Sequence, residues 1–363
     1  MYMPRWFFIL FVFLVMQLLL WVFARSLRFL LGDRPRRHLT ASIFVLADGS
    51  LLVTMTHLFP VLFIVQAWMI ASLWLWFMVA AVAYPLYCIG RHFAPQRAAR
   101  LLRVFLPTGF AALFAWGFFN ANATVVRHYQ VRLPKAMAPL RIGVASDIHL
   151  GGNFFYGARE LDRLAALMAQ EKVDIILLPG DVINDNVRAF RAENMQPHLQ
   201  ALRAPLGVYA TLGNHEFYGD AEENAQALRD SGVRLLRDEA VVVADRLVLV
   251  GRDDEMHANR PPLAALLDGV RRDLPIIVLD HRPSDISANV QTAMDMQVSG
   301  HAHRGQVFPA NFIVQAMYRL AYGHENIEGK EVFVSSGYGF WGVPLRLGSR
   351  SEIFVIDVND IKS

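Results

Sequence analysis

Apolar and polar positions divide this chain into a nearly continuous greasy first third and an alternating remainder. From Trp6 to Ala24 the only polar side chain is Gln17, and about 20 apolar residues suffice for one helix to cross a bilayer. The run is long for a signal peptide and no small-residue cleavage pattern follows it, so an uncleaved anchor is expected. Ile43–Gly90 is too long for one span and fits two, with Pro60 near the break, and Val104–Ala121 makes a fourth. The second span is the weakest, interrupted by Asp48, Ser50, Thr54, Thr56 and His57. A carboxylate at membrane depth is a functional candidate by default; the plainer reading is that Asp48 faces the other helices and is hydrogen-bonded there.

From Arg141 onward, short apolar runs alternate with helical stretches. Ile142–Ser146, Asp174–Leu178, Gly207–Leu212, Leu247–Gly251, Ile276–Leu279 and Met296–Ser299 read as strands. Ala158–Gln170 and Glu222–Ser231 read as helices. That alternation predicts an α/β fold with its sheet covered on both faces. The expected organisation is a helical membrane region over 1–125, a linker over 126–140 and an α/β domain over 141–363.

Charge follows the same division. Residues 1–140 carry thirteen basic and two acidic side chains, a balance of +11; the whole chain is +3, which leaves −8 for the rest. The basic character therefore belongs to the membrane end, and a nucleic-acid partner loses its main support. Arg25, Arg28, Arg34, Arg36 and Arg37 follow the first span, and Arg91, Arg97, Arg100 and Arg103 follow the third. Short basic loops stay in the cytoplasm, so four spans would leave everything after Val125 outside it. Arg127, Arg132 and Lys135 argue mildly the other way, and a re-entrant second segment would reverse the parity. Cys88, the single cysteine, supports neither a disulfide framework nor a thiolate metal site.

The candidate chemistry lies at the strand ends. Successive strands run into Ser146-Asp147-Ile148-His149, Pro179-Gly180-Asp181, Gly213-Asn214-His215-Glu216, Asp280-His281 and Gly300-His301-Ala302-His303. In open α/β sheets ligands bind outside the carboxyl ends of strands, so these oxygen and imidazole groups can converge. In Asp147-x-His149 and His301-x-His303, residues two apart in extended chain point the same way. The glycines before Asp181, Asn214 and His301 are expected to let the backbone turn sharply. Imidazole and carboxylate donors without thiolate suit manganese, iron or zinc.

These five blocks, in order across Ile142–Ile356, resemble the signature of the calcineurin-like metallophosphoesterase superfamily: Asp-x-His, Gly-Asp, Gly-Asn-His-Asp/Glu, an isolated His, and Gly-His-x-His. Leu279–Pro283 and Gly337–Ser349 (GYGFWGVPLRLGS) are similar to the bacterial membrane-anchored YkuE-like and YaeI-like branch. The resemblance implies that β-sheet layers flanked by helices carry two divalent metal ions (Mn, Fe or Zn). One ion would be held by Asp147, His149, Asp181 and His303, the other by Asp181, Asn214, His281 and His301, with Asp181 bridging. It implies phosphoester hydrolysis by metal-activated hydroxide, with His215 stabilising the transition state and protonating the leaving oxygen. It also implies a multi-pass protein of a bacterial inner membrane. Glu216 is expected either to orient His215 or to stand exposed at a helix start. Asn184 and Arg304 depart from the family pattern; Arg304 is a candidate phosphate ligand or a plain surface arginine.

Aromatic residues crowd the blocks: Phe154, Phe155 and Tyr156, then Phe308, Phe340 and Trp341. In Asn311–Tyr322, Asn311, Gln315 and Arg319 form one narrow helical stripe among apolar residues, so the helix is either buried or apposed to lipid. The expected substrate is a phosphate ester or phosphodiester of a lipid or envelope molecule, with the bilayer as partner. The alternatives are a cytoplasmic pyrophosphatase on a nucleotide-linked lipid of the UDP-diacylglucosamine type, and a non-catalytic metal-binding receptor or transport module.

Overall fold

The computed structural model describes residues 5–32, 37–55, 61–135, 138–151 and 157–360. The chain forms two compact units, Met1–Gly117 and Phe118–Ser363.

The first unit is helical: α1 (Arg5–Leu31), α2 (Arg37–Met55), α3 (Val61–Phe93) and α4 (Pro95–Asn122), whose last residues belong to the second unit. Among the described residues, three segments are long and apolar enough to cross a membrane: Phe13–Leu31, Leu62–Phe93 and Pro95–Asn122. The expected second span differs. Its apolar part, His38–Thr54, is shorter, because polar side chains interrupt it. Gln17 Nε2 of α1 donates to Asp48 Oδ1 at 2.8 Å, and Gln66 Nε2 of α3 donates to Ser50 Oγ at 2.6 Å. Asp48 thus makes an inter-helix contact, the plainer of its two readings. Thr56, His57 and Pro60 lie outside the described residues. Arg97, Arg100 and Arg103 sit on the first turns of α4 rather than in a loop, since α3 runs to Phe93 and α4 starts at Pro95.

The second unit contains two six-stranded sheets. The first has the order β1 (Val125–Leu133), β12 (Glu352–Asp360), β2 (Leu140–Val144), β3 (Ile175–Pro179), β4 (Val208–Thr211), β5 (Arg234–Leu235). The second has the order β10 (Gly323–Ile327), β11 (Lys330–Val334), β9 (Met296–Ser299), β8 (Ile276–Asp280), β7 (Leu247–Arg252), β6 (Glu239–Val243). β2 to β5 run parallel, as do β7, β8, β9 and β11. Because side chains alternate along a strand, Ile175 and Leu177 of β3 meet Ile277 and Leu279 of β8 in one core between the sheets. Ile176 and Leu178 face the opposite way, into a core with α5 (Ala158–Gln170) and α9 (Ala221–Asp230), while Ile276 and Val278 build a third core. Short helices fill the connections: α6 (Val187–Ala192), α7 (Gln196–Gln200), α8 (Asn214–Tyr218), α10 (Leu263–Leu266), α11 (Ile286–Asn289) and α12 (Ala310–Met317).

Val125–Leu133, read from sequence as mostly linker, is strand β1, paired in parallel with β12 along its whole length. Arg127, His128 and Arg132 make it look solvated, and its partner lies more than two hundred residues away; Arg127 is matched by the buried Glu352 of β12 at 2.5 Å.

Candidate metal centre

The carboxyl ends of β2, β3 and β4 in one sheet and β8 and β9 in the other open onto a common rim. The loops leaving them are stitched by backbone hydrogen bonds: Asp147 N–H to Gly180 O (3.1 Å), His149 N–H to Asp181 O (2.9 Å) and Gly300 N–H to His281 O (2.9 Å). Asp147 and His149 converge as expected, but not as extended chain. Asp147, His149, Asp181, His301 and His303 all have positive φ, between +45° and +66°. Non-glycine residues seldom occupy this region, and such conformations persist where the surroundings over-determine them.

The glycines also act differently from expectation. Only Gly180 has positive φ (+83°), and a Cβ there would meet the His281 ring at 2.5–2.6 Å. Gly213 and Gly300 have ordinary φ and are small because a Cβ would run into the carboxylates of Asp181 and Asp147 respectively.

Three of the resulting donor clusters bear on the expected ligands: Asp147, His149 and His303; Asp181, His281 and His301; and His149, Asp181 and His215, the donor atoms of each within 4.8 Å of one another. His149 Nε2 is 3.1 Å from His303 Nε2, and His303 Nε2 is 3.4 Å from Asp147 Oδ1. On the other side, His281 Nε2 is 3.1 Å from both Asp181 Oδ2 and Asn214 Oδ1, and His301 Nδ1 is 2.8 Å from Asn214 Oδ1. Asp181 Oδ2 is also 3.9 Å from His149 Nε2, so its carboxylate reaches both groups. Lone-pair atoms spaced about 3–4 Å apart suit ligands at roughly 2.0–2.2 Å around a shared cation, and the residues fit two divalent ions.

Tautomers agree with that fit. His281 Nδ1–H donates to Pro179 O at 2.9 Å and His149 Nδ1–H to Asn184 Oδ1 at 3.1 Å, which turns each Nε2 inward. Asn184 therefore performs the orienting task with an amide. Burial lowers the His149 and His301 pKa values to about 4 and about 3 and holds both rings neutral. Burial would raise the Asp181 carboxyl, but the His281 side chain beside it, whose own pKa is pushed up to about 10 by that carboxylate, outweighs burial and keeps Asp181 ionised.

His215 lies against His149 with ring centroids 4.6 Å apart. Its Nδ1–H donates to Asp185 Oδ1 at 2.7 Å, and its backbone N–H donates to Asp181 Oδ1 at 2.9 Å. Burial lowers its pKa, but the Asp185 hydrogen bond and the Asp181 charge raise it on balance. Glu216 does stand in the first turn of α8, but it is not exposed there. It is fully buried and accepts the backbone N–H groups of Gly213 (2.8 Å), Asp181 (3.1 Å) and Ile183 (2.8 Å), fastening the Gly213 and Asp181 loops together. Asp185 is the group that orients His215.

Arg304 does not line the cleft; its guanidinium lies 4.3 Å over the Tyr322 ring. Phe340 is buried in the core, whereas Phe308 and Trp341 are exposed, and Phe154–Tyr156 lie outside the described residues. In a fourth donor cluster, His257 Nδ1 lies 3.1 Å from Asp238 Oδ2 and 3.5 Å from Asp253 Oδ2, and Arg237 holds Asp253 at 2.8 Å.

The residue least expected from sequence is Arg346, from the GYGFWGVPLRLGS segment. It is completely buried, donates to Gly339 O (2.6 Å), Gly337 O (3.3 Å) and Ser349 Oγ (3.1 Å), and stands 3.3 Å from His303 Nδ1. Gly339 N–H in turn donates to Asp147 O at 2.9 Å. Arg346 thereby braces both Asp147 and His303. Arg346→Met is expected to weaken metal binding at the Asp147/His149/His303 cluster by about 10–100-fold, the usual effect of losing an outer partner, with Arg346→Lys intermediate. Metal titration of the full chain checks this, and unchanged affinity in both variants would refute it.

Histidine, aspartate and asparagine gathered at strand ends, with the Asp181 carboxylate between two donor clusters, form a candidate metal centre of the phosphoesterase type. The calcineurin-like phosphoesterase family matches residues 140–305. A transmembrane protein with metallophosphoesterase domain from Danio rerio is 31% identical over 67% of this chain and 59% of its own length. An uncharacterized metallophosphoesterase of Campylobacter jejuni is 29% identical over 65% and 64%, and one of Aquifex aeolicus is 30% identical over 62% and 87%. The chain thus spans less than two thirds of the first two of these relatives. It belongs to the calcineurin-like metallophosphoesterases.

Proposed function

We propose that this chain is a membrane-bound phosphoester hydrolase working with two divalent ions, on a phosphate ester or diester of a lipid or cell-envelope molecule. The observation that carries the reading is the Asp181 carboxylate lying within reach of both donor clusters. Asp147, His149, Asp181 and His303 would hold one ion; Asp181, Asn214, His281 and His301 would hold the other. When bound, such a pair lowers the pKa of water and neutralises charge on phosphoryl oxygens. The chain's own contribution is alignment and proton transfer. His215, kept protonated by Asp185, gives its Nε2 proton to the leaving oxygen, and the Asp185 carboxylate fixes the ring that does so. The cleft, about 280 Å³, is lined on one side by Asp181, Asn214, His215, His301 and His303.

In this reading the active site lies outside the cytoplasm of a bacterial inner membrane. The helix α2 has 19 residues, about 28 Å at 1.5 Å per residue, close to the roughly 30 Å hydrocarbon core, and Gln17 satisfies its Asp48. Four crossings with the arginine-rich ends in the cytoplasm return the chain outside. A C-terminal fusion to alkaline phosphatase should be active and one to green fluorescent protein dark. The opposite pair of results would leave three crossings, the number of helices that meet span length and hydropathy, and favour the nucleotide-linked lipid pyrophosphatase at the cytoplasmic face.

A further inference from the structure

Helix α12 buries none of its side chains, although only Asn311 and Gln315 along it are polar and none is charged. Phe312, Ile313 and Met317 are 59%, 60% and 65% exposed, and Trp341 nearby is 60% exposed. Core packing, one of the two expectations for Asn311–Tyr322, is therefore not the arrangement of the helix, which ends at Met317 and leaves Arg319 off its stripe; beyond it Leu320 and Ala321 do turn inward. Apolar side chains of this size grouped at a surface mark a contact site.

This shelf continues into the catalytic cleft. Ala310 and Val314, one turn apart on α12, form with Trp341 the wall that faces His215, His301 and His303. The wall is held in shape: Gln306 Nε2 donates to Trp341 O at 2.8 Å, while Trp341 N–H donates to Gln306 Oε1 at 3.0 Å. Phe308 packs edge-on against Phe312, with centroids 5.7 Å apart. Cations near the rim already have partners. Arg282 is gripped by both oxygens of Asp254 at 2.7 and 3.0 Å, Arg319 pairs with Glu325, and Arg304 stacks on Tyr322. A sugar, nucleotide or acidic peptide would find few polar partners on this shelf. An uncharged hydrocarbon would lose nothing there.

We infer that α12 and Trp341 form the subsite for the apolar tail of a phosphorylated lipid, continuous with the metal-ligand rim that takes its phosphate. The inference rests on the phosphoesterase reading and names which part of the cleft selects the substrate. The phosphate sits at His215 and the metal ligands, while the tail runs along Ala310 and Val314 and then over Phe312, Ile313 and Met317. The three span-length apolar segments keep the enzyme where such substrates are found.

The test uses the full chain in lipid nanodiscs with manganese, p-nitrophenyl phosphate, and p-nitrophenyl n-alkyl phosphates from methyl to hexyl below their micelle concentrations. The readout is the hexyl-to-methyl ratio of kcat/KM. In the wild type each added methylene should raise kcat/KM by up to about fourfold, the limit set by burying one methylene. In Phe312→Ser/Ile313→Ser/Met317→Ser the ratio should fall toward one, and Trp341→Ala should fall between. Metal content, counted in parallel, shows that each variant is folded. A flat series in the wild type, or an unchanged ratio in both variants, overturns the subsite while leaving the phosphoesterase reading intact. Loss of a dimer in the triple variant with an unchanged ratio would assign α12 to a second copy of this chain. Failure to turn over any of these esters would count against the phosphoesterase reading itself.

Discussion

Asp181→Asn is expected to abolish turnover of p-nitrophenyl phosphate. This carboxylate faces both donor groups, with Oδ2 3.1 Å from His281 Nε2 and 3.9 Å from His149 Nε2, while Oδ1 accepts the His215 backbone N–H. It carries the negative charge that two adjacent dications would most need, and it stays ionised although fully buried. A neutral amide has one oxygen to offer and an N–H₂ group pointing toward a cation. The same substitution loosens the loop, because His215 and Gly213 are both packed on this side chain. Activity within a few-fold of the wild type would refute its bridging role.

The second large effect belongs to His215. His215→Ala should lower kcat by about 10²–10⁴-fold, the usual contribution of a positioned general acid, while KM and metal content stay close to wild type. Its Nδ1 is occupied by Asp185, which leaves Nε2 to face the cleft. Asp185→Asn should produce a smaller loss in the same parameter, since the ring keeps its place but loses the charge that favours its protonated form. Esters with a good leaving group, such as p-nitrophenolate, need little protonation and should lose least; alkyl esters should lose most. Equal losses across leaving groups would exclude proton donation, and loss of metal would make His215 a ligand.

Much of the catalytic unit was legible because its chemistry sits where the hydrophobic pattern ends. The runs that became β2, β3, β4, β7, β8 and β9 were each found within two residues, and α5 exactly where its apolar spacing put it, at Ala158–Gln170. Each motif therefore fell on a strand end. The second sheet was less visible, since nothing local says whether successive strands join one sheet or two. Strand β12 pairs with β1 and β2, both more than two hundred residues earlier, and that information is absent from any short window. The backbone at the ligands was also hidden. Asp-x-His suggests an extended pair, yet Asp147 and His149 both have positive φ because the Gly180 and Asp181 carbonyls capture their N–H groups.

Buried supporting residues were the hardest to read. Glu216 starts a helix as its position suggested, yet it is buried and binds three backbone N–H groups, each of which would cost about 1–3 kcal/mol if left without an acceptor. Arg346 sits in a segment whose glycines and apolar residues suggest a loop. Its guanidinium becomes meaningful only once Gly337, Gly339 and His303 surround it. Asp185 differs from Asn184 by one position and faces a different histidine. Spacing alone does not separate the two.

The central claim is that one carboxylate joins two metal positions. It is tested most directly by counting metal per chain, by elemental analysis of the full-length protein reconstituted with manganese and freed of loosely bound ions. The account predicts two equivalents in the wild type and in His215→Ala, and fewer than one in Asp181→Asn. One equivalent in the wild type, or two in Asp181→Asn, would contradict it.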